Sequence, residues 1–219
     1  MVCNRISEQR NFIYIVSTDE EGAMATSTVM RCCLGAAMAL ALGWFADPPA
    51  KAIHSVTTRE LNVQRLSVLS AKPFEEVESN IQSGVGHPQV PALAKKISAA
   101  QSEAELEELL NAAVGPTGIM LFNRFDLGEV LRKEQGEKAP KIVRLLVGNP
   151  LIMKQMVRFV PDAGSYAPVT ILIDQRADGV HVSYDTMTSF LAPYGNKQAL
   201  QVARDLDAKI EALIKSAAF

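Results

Sequence analysis

His87 is the residue most obviously suited to proton transfer. It stands in Gly84-Val85-Gly86-His87-Pro88, a loop punctuated by glycine and proline. Histidine titrates closest to neutrality, so a carboxylate beside it would complete a general acid–base pair. Asp126 and Asp185, each at the end of a predicted strand, could supply that carboxylate. Both also have a plain structural use, Asp126 as a helix cap and Asp185 as a strand end, and Asp162 before Ala163-Gly164 suits a turn. Tyr166 and Tyr184 fall near these carboxylates, in the central loop and at a strand end.

A second chemistry is anion binding. Gly148-Asn149-Pro150 opens a helix, and the unpaired N–H groups of a helix start, with Lys154 one turn later, could hold a negative group. The same Asn-Pro pair is also a good N-cap followed by a good first helical residue, a purely structural role. The candidate ligand-binding residues are therefore His87, Asp126, Asn149, Lys154 and Tyr166. His181 lies on the polar face of a hairpin, and His54 belongs to the region that precedes the first strand. Three scattered histidines with no HxH or HExxH spacing give no expectation of a metal. No GxSxG elbow, Walker loop or GxGxxG supports acyl transfer or nucleotide binding, and no cofactor is expected.

The elements that carry these residues follow from period and punctuation. Residues 62–71 read as a strand, and Pro73 opens a helix with Phe74, Val77 and Ile81 on one face. A short helix is expected over 91–99. Ser102 and Glu105 form a capping box for another, with Leu106, Leu109, Leu110 and Ala113 along one side. Strands are expected at 119–125 and 142–147, separated by a short helix that Asp126 caps. Both strands are apolar on alternate and intervening residues, which predicts cover on both faces. After the 150–160 helix, strands 169–174 and 180–185 meet around Asp178-Gly179. With those two residues as the turn, Ile173 faces Tyr184 and Arg176 faces His181. Val169, Ile171, Ile173, Val180, Val182 and Tyr184 then share the core side. Asn196 caps a long amphipathic final helix.

Composition bounds the rest. At 219 residues, 48% hydrophobic and 21% charged, the chain suits one domain with a real core. A net charge of −2 and the absence of any basic block argue against nucleic acid as a partner. Met30 to Ala52 reads as a secretory signal: Arg31, fifteen uncharged residues from Cys32 to Ala46, then Ala50-Lys51-Ala52 as a small-x-small cleavage site. An apolar run this short falls below the roughly 20 residues of a membrane helix, so no span is expected in the mature form. Residues 1–52 are thus a misassigned leader plus signal peptide starting from Met24 or Met30, and 53–219 a single domain. All three cysteines, Cys3, Cys32 and Cys33, precede that cleavage site.

Leu145 to Pro150 (LLVGNP), the apolar helix after it, Tyr166-Ala167-Pro168 leading into a strand, and Gly179 to Tyr184 (GVHVSY) carry a family likeness. They resemble the Domain of Unknown Function 302 family over roughly residues 62–217. That resemblance implies an α+β fold, a two-layer α/β sandwich with a largely antiparallel sheet and helices on one face, often as a homodimer. It brings no reaction. The segment 84–118 departs from the short form of the family as a helical insertion between the first helix and the second strand. The expected protein is a secreted or periplasmic module of the bacterial cell envelope that binds a small ligand or a protein partner. It is expected as a homodimer, because strands apolar on both faces need cover from the insertion or a second subunit. The alternative is an enzyme of unassigned chemistry using His87 with Asp126 or Asp185.

Overall fold

The computed structural model describes residues 55–219. The expected leader, signal segment and cleavage near Ala52, together with His54 and the cysteines, lie outside the described residues. Five strands form one antiparallel sheet: β1 (Arg65–Ser70), β2 (Met120–Asp126), β3 (Ile142–Gly148), β4 (Val169–Arg176) and β5 (Gly179–Asp185), in the order β1-β5-β4-β3-β2. The helices are α1 (Phe74–Ser83), α2 (Val90–Ala99), α3 (Glu103–Asn111), α4 (Gly128–Gln135), α5 (Pro150–Val157), α6 (Met187–Leu191) and α7 (Lys197–Ala218). This is the expected α+β sandwich, with helices packed on one sheet face.

Alternation along the strands builds that core face. Val143, Leu145 and Val147 of β3, with Ile171 and Ile173 of β4, point inward and are almost fully buried. From the helix side, α1 contributes Phe74, Val77 and Ile81 as its periodicity predicted, and the long α7 contributes Leu206, Ile210 and Ile214. Each such side chain stabilises the fold by about 1.5–3 kcal/mol on burial. Three helix starts expected from the sequence are capped by the expected side chain: Ser102 accepts from the Glu105 N–H, Asn149 from Leu151, and Asn196 from Ala199.

The central hairpin differs from the expected register in one respect. The turn is Ala177-Asp178, so Arg176 pairs with Gly179, Ile173 with Val182 and Ile171 with Tyr184. The partner of each residue therefore moves by two. Because side chains alternate with period two, every residue keeps its expected face. Gly179 is required by its other neighbour: at its φ of +140° a Cβ would lie 2.8 Å from the Ser70 carbonyl oxygen on β1.

The expectation that both faces of 119–125 are covered holds at the start of the strand, where Ile119 joins the main core and Met120 the cluster of the insertion, and is corrected at its end. A β-bulge between Leu121 and Asn123 shifts the pairing with β3 by one residue. Leu121 faces the helices opposite Val147, but beyond the bulge Phe125 pairs with Arg144 on the open face and is 39% exposed. Before the bulge Met120 is covered by Leu93 and Leu110, whereas Phe125 beyond it has no such cover. The same shift turns Arg124 toward the helices, where it holds Glu78 of α1 with contacts of 2.5 and 3.2 Å. In β3, Ile142 and Leu146 on the open side are half-buried and Arg144 is exposed.

The insertion covers β2 only at its start. Helices α2 and α3 gather a small cluster of Leu93, Leu110 and Met120 beside α5 and the start of β2. They are rooted by two glycines in close backbone contact. A Cβ on Gly86 would lie 2.1 Å from the Ala113 carbonyl oxygen, and one on Gly115 would lie 2.4 Å from the Val85 carbonyl carbon. Both Gly86 and Gly115 donate their N–H to the Ile119 carbonyl, at 2.8 and 2.9 Å, and Leu121 N–H returns a bond to Gly86. Gly86 thus docks alongside Met120 as a short parallel bridge on the sheet.

Candidate functional site

Most of the polar residues singled out from the sequence are occupied in holding the fold. Asn149 accepts from Leu151 N–H at 2.8 Å through Oδ1 and donates from Nδ2 to the Gly118 carbonyl at 2.9 Å, which ties α5 to the loop before β2. Lys154 pairs with Glu103, and Glu107 lies 3.9 Å away on the same helix α3. The helix start at Asn149 therefore has a satisfied cap, and its nearest cation already has carboxylate partners. Asp126 accepts from Glu129 N–H at 3.0 Å and from Arg132 at 2.8 Å, so it caps α4. The Arg132 guanidinium holds the Asp126 carboxyl below the usual aspartate range.

His87 lies in a groove of about 380 Å³ between α2 and α3. Its Nε2 bonds the Gln82 carbonyl at 2.8 Å, which requires that nitrogen to donate. No carboxylate lines this groove, whose walls include Ala92, Leu93, Lys96, Leu109 and Ala113. The structure thus does not bring His87 together with Asp126 or Asp185. His181 pairs across the sheet with Asp174, not Arg176, and its Nε2 bonds Asp178 at 2.9 Å. Tyr184 is buried and donates to Asp207 at 2.6 Å, and Asp207 also accepts from the Met187 and Thr188 N–H groups, at 2.8 and 2.9 Å. Burial and the Asp207 carboxylate push the Tyr184 phenol well above its ordinary range, so it remains a donor that ties β5 to α7, while Asp207 itself anchors the start of α6.

Tyr166 is different, because it opens onto the uncovered face of the sheet. A cleft of about 330 Å³ lies there, with Arg144 of β3, Thr170 of β4 and Asp185 of β5 as its floor and Ser165, Tyr166 and Phe190 as its wall. The floor follows from alternation: Val143, Leu145, Ile171 and Tyr184 turn inward, so their neighbours must turn out. The wall is built where the loop before β4 meets α6. The Tyr166 and Phe190 rings stack at 4.8 Å between centroids and 10° between planes. A smaller depression of about 160 Å³ shares Arg144, Thr170 and Asp185 and continues over Leu172 and Ser183 to Arg65.

The charges of this cleft are unequally matched. Arg65 on β1 grips Asp185 with two bonds, Nε to Oδ1 at 2.6 Å and the second nitrogen to Oδ2 at 2.8 Å, and this holds the Asp185 carboxyl below its ordinary range. Arg144 has no carboxylate partner among the described residues; its one side-chain bond is a long 3.4 Å contact to the Thr170 hydroxyl. Behind the wall, the Tyr166 and Tyr194 hydroxyls lie 2.8 Å apart, and Arg59 stacks over the Tyr194 ring at 4.3 Å. Burial, Tyr166 and the Asp162 carboxylate together push the Tyr194 phenol above its ordinary range.

Arg144, Thr170 and Phe190 were not among the sequence candidates. A signal for Arg144 is present in hindsight: it is the only charged residue in the otherwise apolar run Ile142 to Val147. Thr170 and Phe190 carry no such mark, since their value comes from the residues placed beside them.

No curated relative matches this chain. A solved structure, the crystal structure of uncharacterized conserved protein DUF302 from Bacillus stearothermophilus, is similar to it with a TM-score of 0.49 and 12% identity, over 70% of this chain and 97% of that one. Residues 94–217, more than half of the chain, match the family described as a domain of unknown function, DUF302. The chain belongs to the DUF302 family.

Proposed function

We propose that this chain is a small-ligand-binding protein of the bacterial cell envelope, exported by its N-terminal signal, and that its ligand site is the cleft on the open sheet face. The observation that carries the site is the cleft around Arg144: its floor stands on three paired central strands, and among the described residues its guanidinium has no carboxylate partner. Sites built on strands hold their groups more rigidly than sites on loops. The size suits a small molecule, at the lower end of the roughly 300–1,000 Å³ of ordinary ligand pockets. Export is supported by the Met30–Ala52 pattern.

A thermal-shift screen of the full chain against a metabolite library tests the site. Hits should lose their effect in Thr170→Trp, which fills the cleft from an outward-facing strand position, and weaken in Phe190→Ala. Hits indifferent to both variants would place the ligand elsewhere. Export has a separate test, since mass spectrometry of the native protein that finds residues 31–52 retained overturns it.

A homodimer belongs to the same proposal. Phe125, Leu127 and Val130 are 39%, 40% and 72% exposed along and just beyond the β2 edge, an apolar group that a second copy would remove from water. Light scattering coupled to size exclusion should give twice the chain mass, and a strict monomer overturns it.

A further inference from the structure

We infer that the ligand taken up by the open-face cleft is a small carboxylate monoanion carrying a planar ring, its charge on the Arg144 guanidinium and its ring against the Tyr166–Phe190 stack. This rests on the cleft being the ligand site.

The sign of the ligand follows from which charges are already matched. Three charged side chains line the two adjoining depressions: Arg65, Asp185 and Arg144. Arg65 and Asp185 face each other across the β1–β5 ladder and form a two-bond ion pair, so together they offer no net charge. Arg144 sits across from Phe125 on one side and Leu172 on the other, two apolar residues that cannot accept from it. Among the described residues Thr170 alone makes a side-chain hydrogen bond to it, at 3.4 Å. One positive charge is left, on a planar fork of five N–H donors whose geometry matches a carboxylate. A dianion fits less well, because the other cation, Arg65, is already paired with Asp185.

The shape of the ligand follows from the wall. Tyr166 and Phe190 offer rings already ordered by stacking on each other. The Tyr166 hydroxyl is turned away from the cleft to the Tyr194 hydroxyl, 2.8 Å distant. The aromatic part of the wall therefore presents ring surface, while Thr170 supplies a hydroxyl beside Arg144. A flat apolar group ending in a carboxylate satisfies both ends within about 330 Å³.

The test is calorimetric titration of the full chain with benzoate and with its neutral isostere benzamide. Benzoate should bind more tightly. Arg144→Gln should weaken benzoate about 10–100-fold, as expected for losing a charge-assisted pair, and leave benzamide unchanged. Arg144→Lys should recover part of the loss, because it restores charge without the fork. Phe190→Ala should weaken both compounds by a similar factor. No benzoate binding, benzamide binding as tightly as benzoate, or benzoate binding indifferent to Arg144→Gln each overturns the inference. If benzamide responds to Phe190→Ala but benzoate binds no more tightly than benzamide, the ligand-binding function stands while the anion inference falls. If no library compound responds to Thr170→Trp or Phe190→Ala, both fall.

Discussion

The open-face cleft and the groove between α2 and α3 are similar in size, about 330 and 380 Å³, yet their polar groups stand in opposite condition. In the groove His87, the residue most suggestive in the sequence, is tied to the Gln82 carbonyl and meets no carboxylate among the residues that line the groove. In the cleft Arg144, which the sequence analysis passed over, has no carboxylate partner among the described residues and faces an ordered aromatic wall. A residue's chemical type therefore says less about function than whether neighbouring groups have already consumed its hydrogen bonds. The supports differ as well. The cleft stands on the ladder of β3, β4 and β5, whereas the groove depends on one glycine contact and a small apolar cluster.

That contrast can be broken most strongly at the glycine contact. Gly86→Ala places a methyl 2.1 Å from the Ala113 carbonyl oxygen, and the backbone of either segment must move. The expected cost is about 3 kcal/mol or more, read by urea denaturation. Ligand binding in the cleft should persist wherever the variant remains folded.

Arg124→Ala tests the ion pair that the β2 bulge creates. Glu78 is 8% exposed and would lose its charge partner, but Arg124 itself reaches solvent. The loss should be about 2 kcal/mol, between the values for exposed and buried pairs, and Glu78→Gln in the same background should recover part of it. Without that recovery, Arg124 acts by packing its stem.

Acid sharpens the charge balance of the cleft. The folded-state pKa of Asp185 is lowered by Arg65 from the ordinary 3.8, so its contribution to stability is complete above that value and is lost as pH falls through the lower folded value. Arg65 is 60% exposed, so the effect should stay under about 1 kcal/mol. It should vanish in Arg65→Met, as measured by denaturation from pH 6 to 2. His87→Ala should be the mildest change, about 0.5 kcal/mol for one exposed hydrogen bond, with no effect on cleft binding. A ligand whose affinity drops in His87→Ala but not in Thr170→Trp would reverse the assignment of the two cavities.

Much of the scaffold was legible in the chain. The faces of α1 and α7 followed from helical spacing, and the caps at Ser102, Asn149 and Asn196 from residue type and position. Even with its turn displaced by one residue, the β4–β5 hairpin kept the predicted faces, because period two is insensitive to a shift of two. The bulge in β2 was not legible, since Ile119 to Phe125 contains no glycine or proline to mark a change of phase. That one irregularity leaves the far end of a strand covered on both faces at its start as an edge with an exposed Phe125. Of the five expected site residues, Tyr166 alone lines the open-face cleft. The others are a cap for α5, a partner of α3, a cap for α4 and a loop histidine bonded to a carbonyl.

Taken alone, the sequence determined what is settled within a turn or two of chain: where helices start, which stripe of each is apolar, and which strand residues share a face. These depend on period and on side chains that cap their own backbone. Only the tertiary structure decided which polar groups remain available. Asp185 is neutralised by Arg65 from 120 residues earlier because β1 pairs with β5, and Arg144 is left open because its cross-strand neighbours are Phe125 and Leu172. Electrostatic and hydrogen-bond satisfaction is a property of neighbours in space, and strand order, which brings those neighbours together, is set by the packing of the whole sheet.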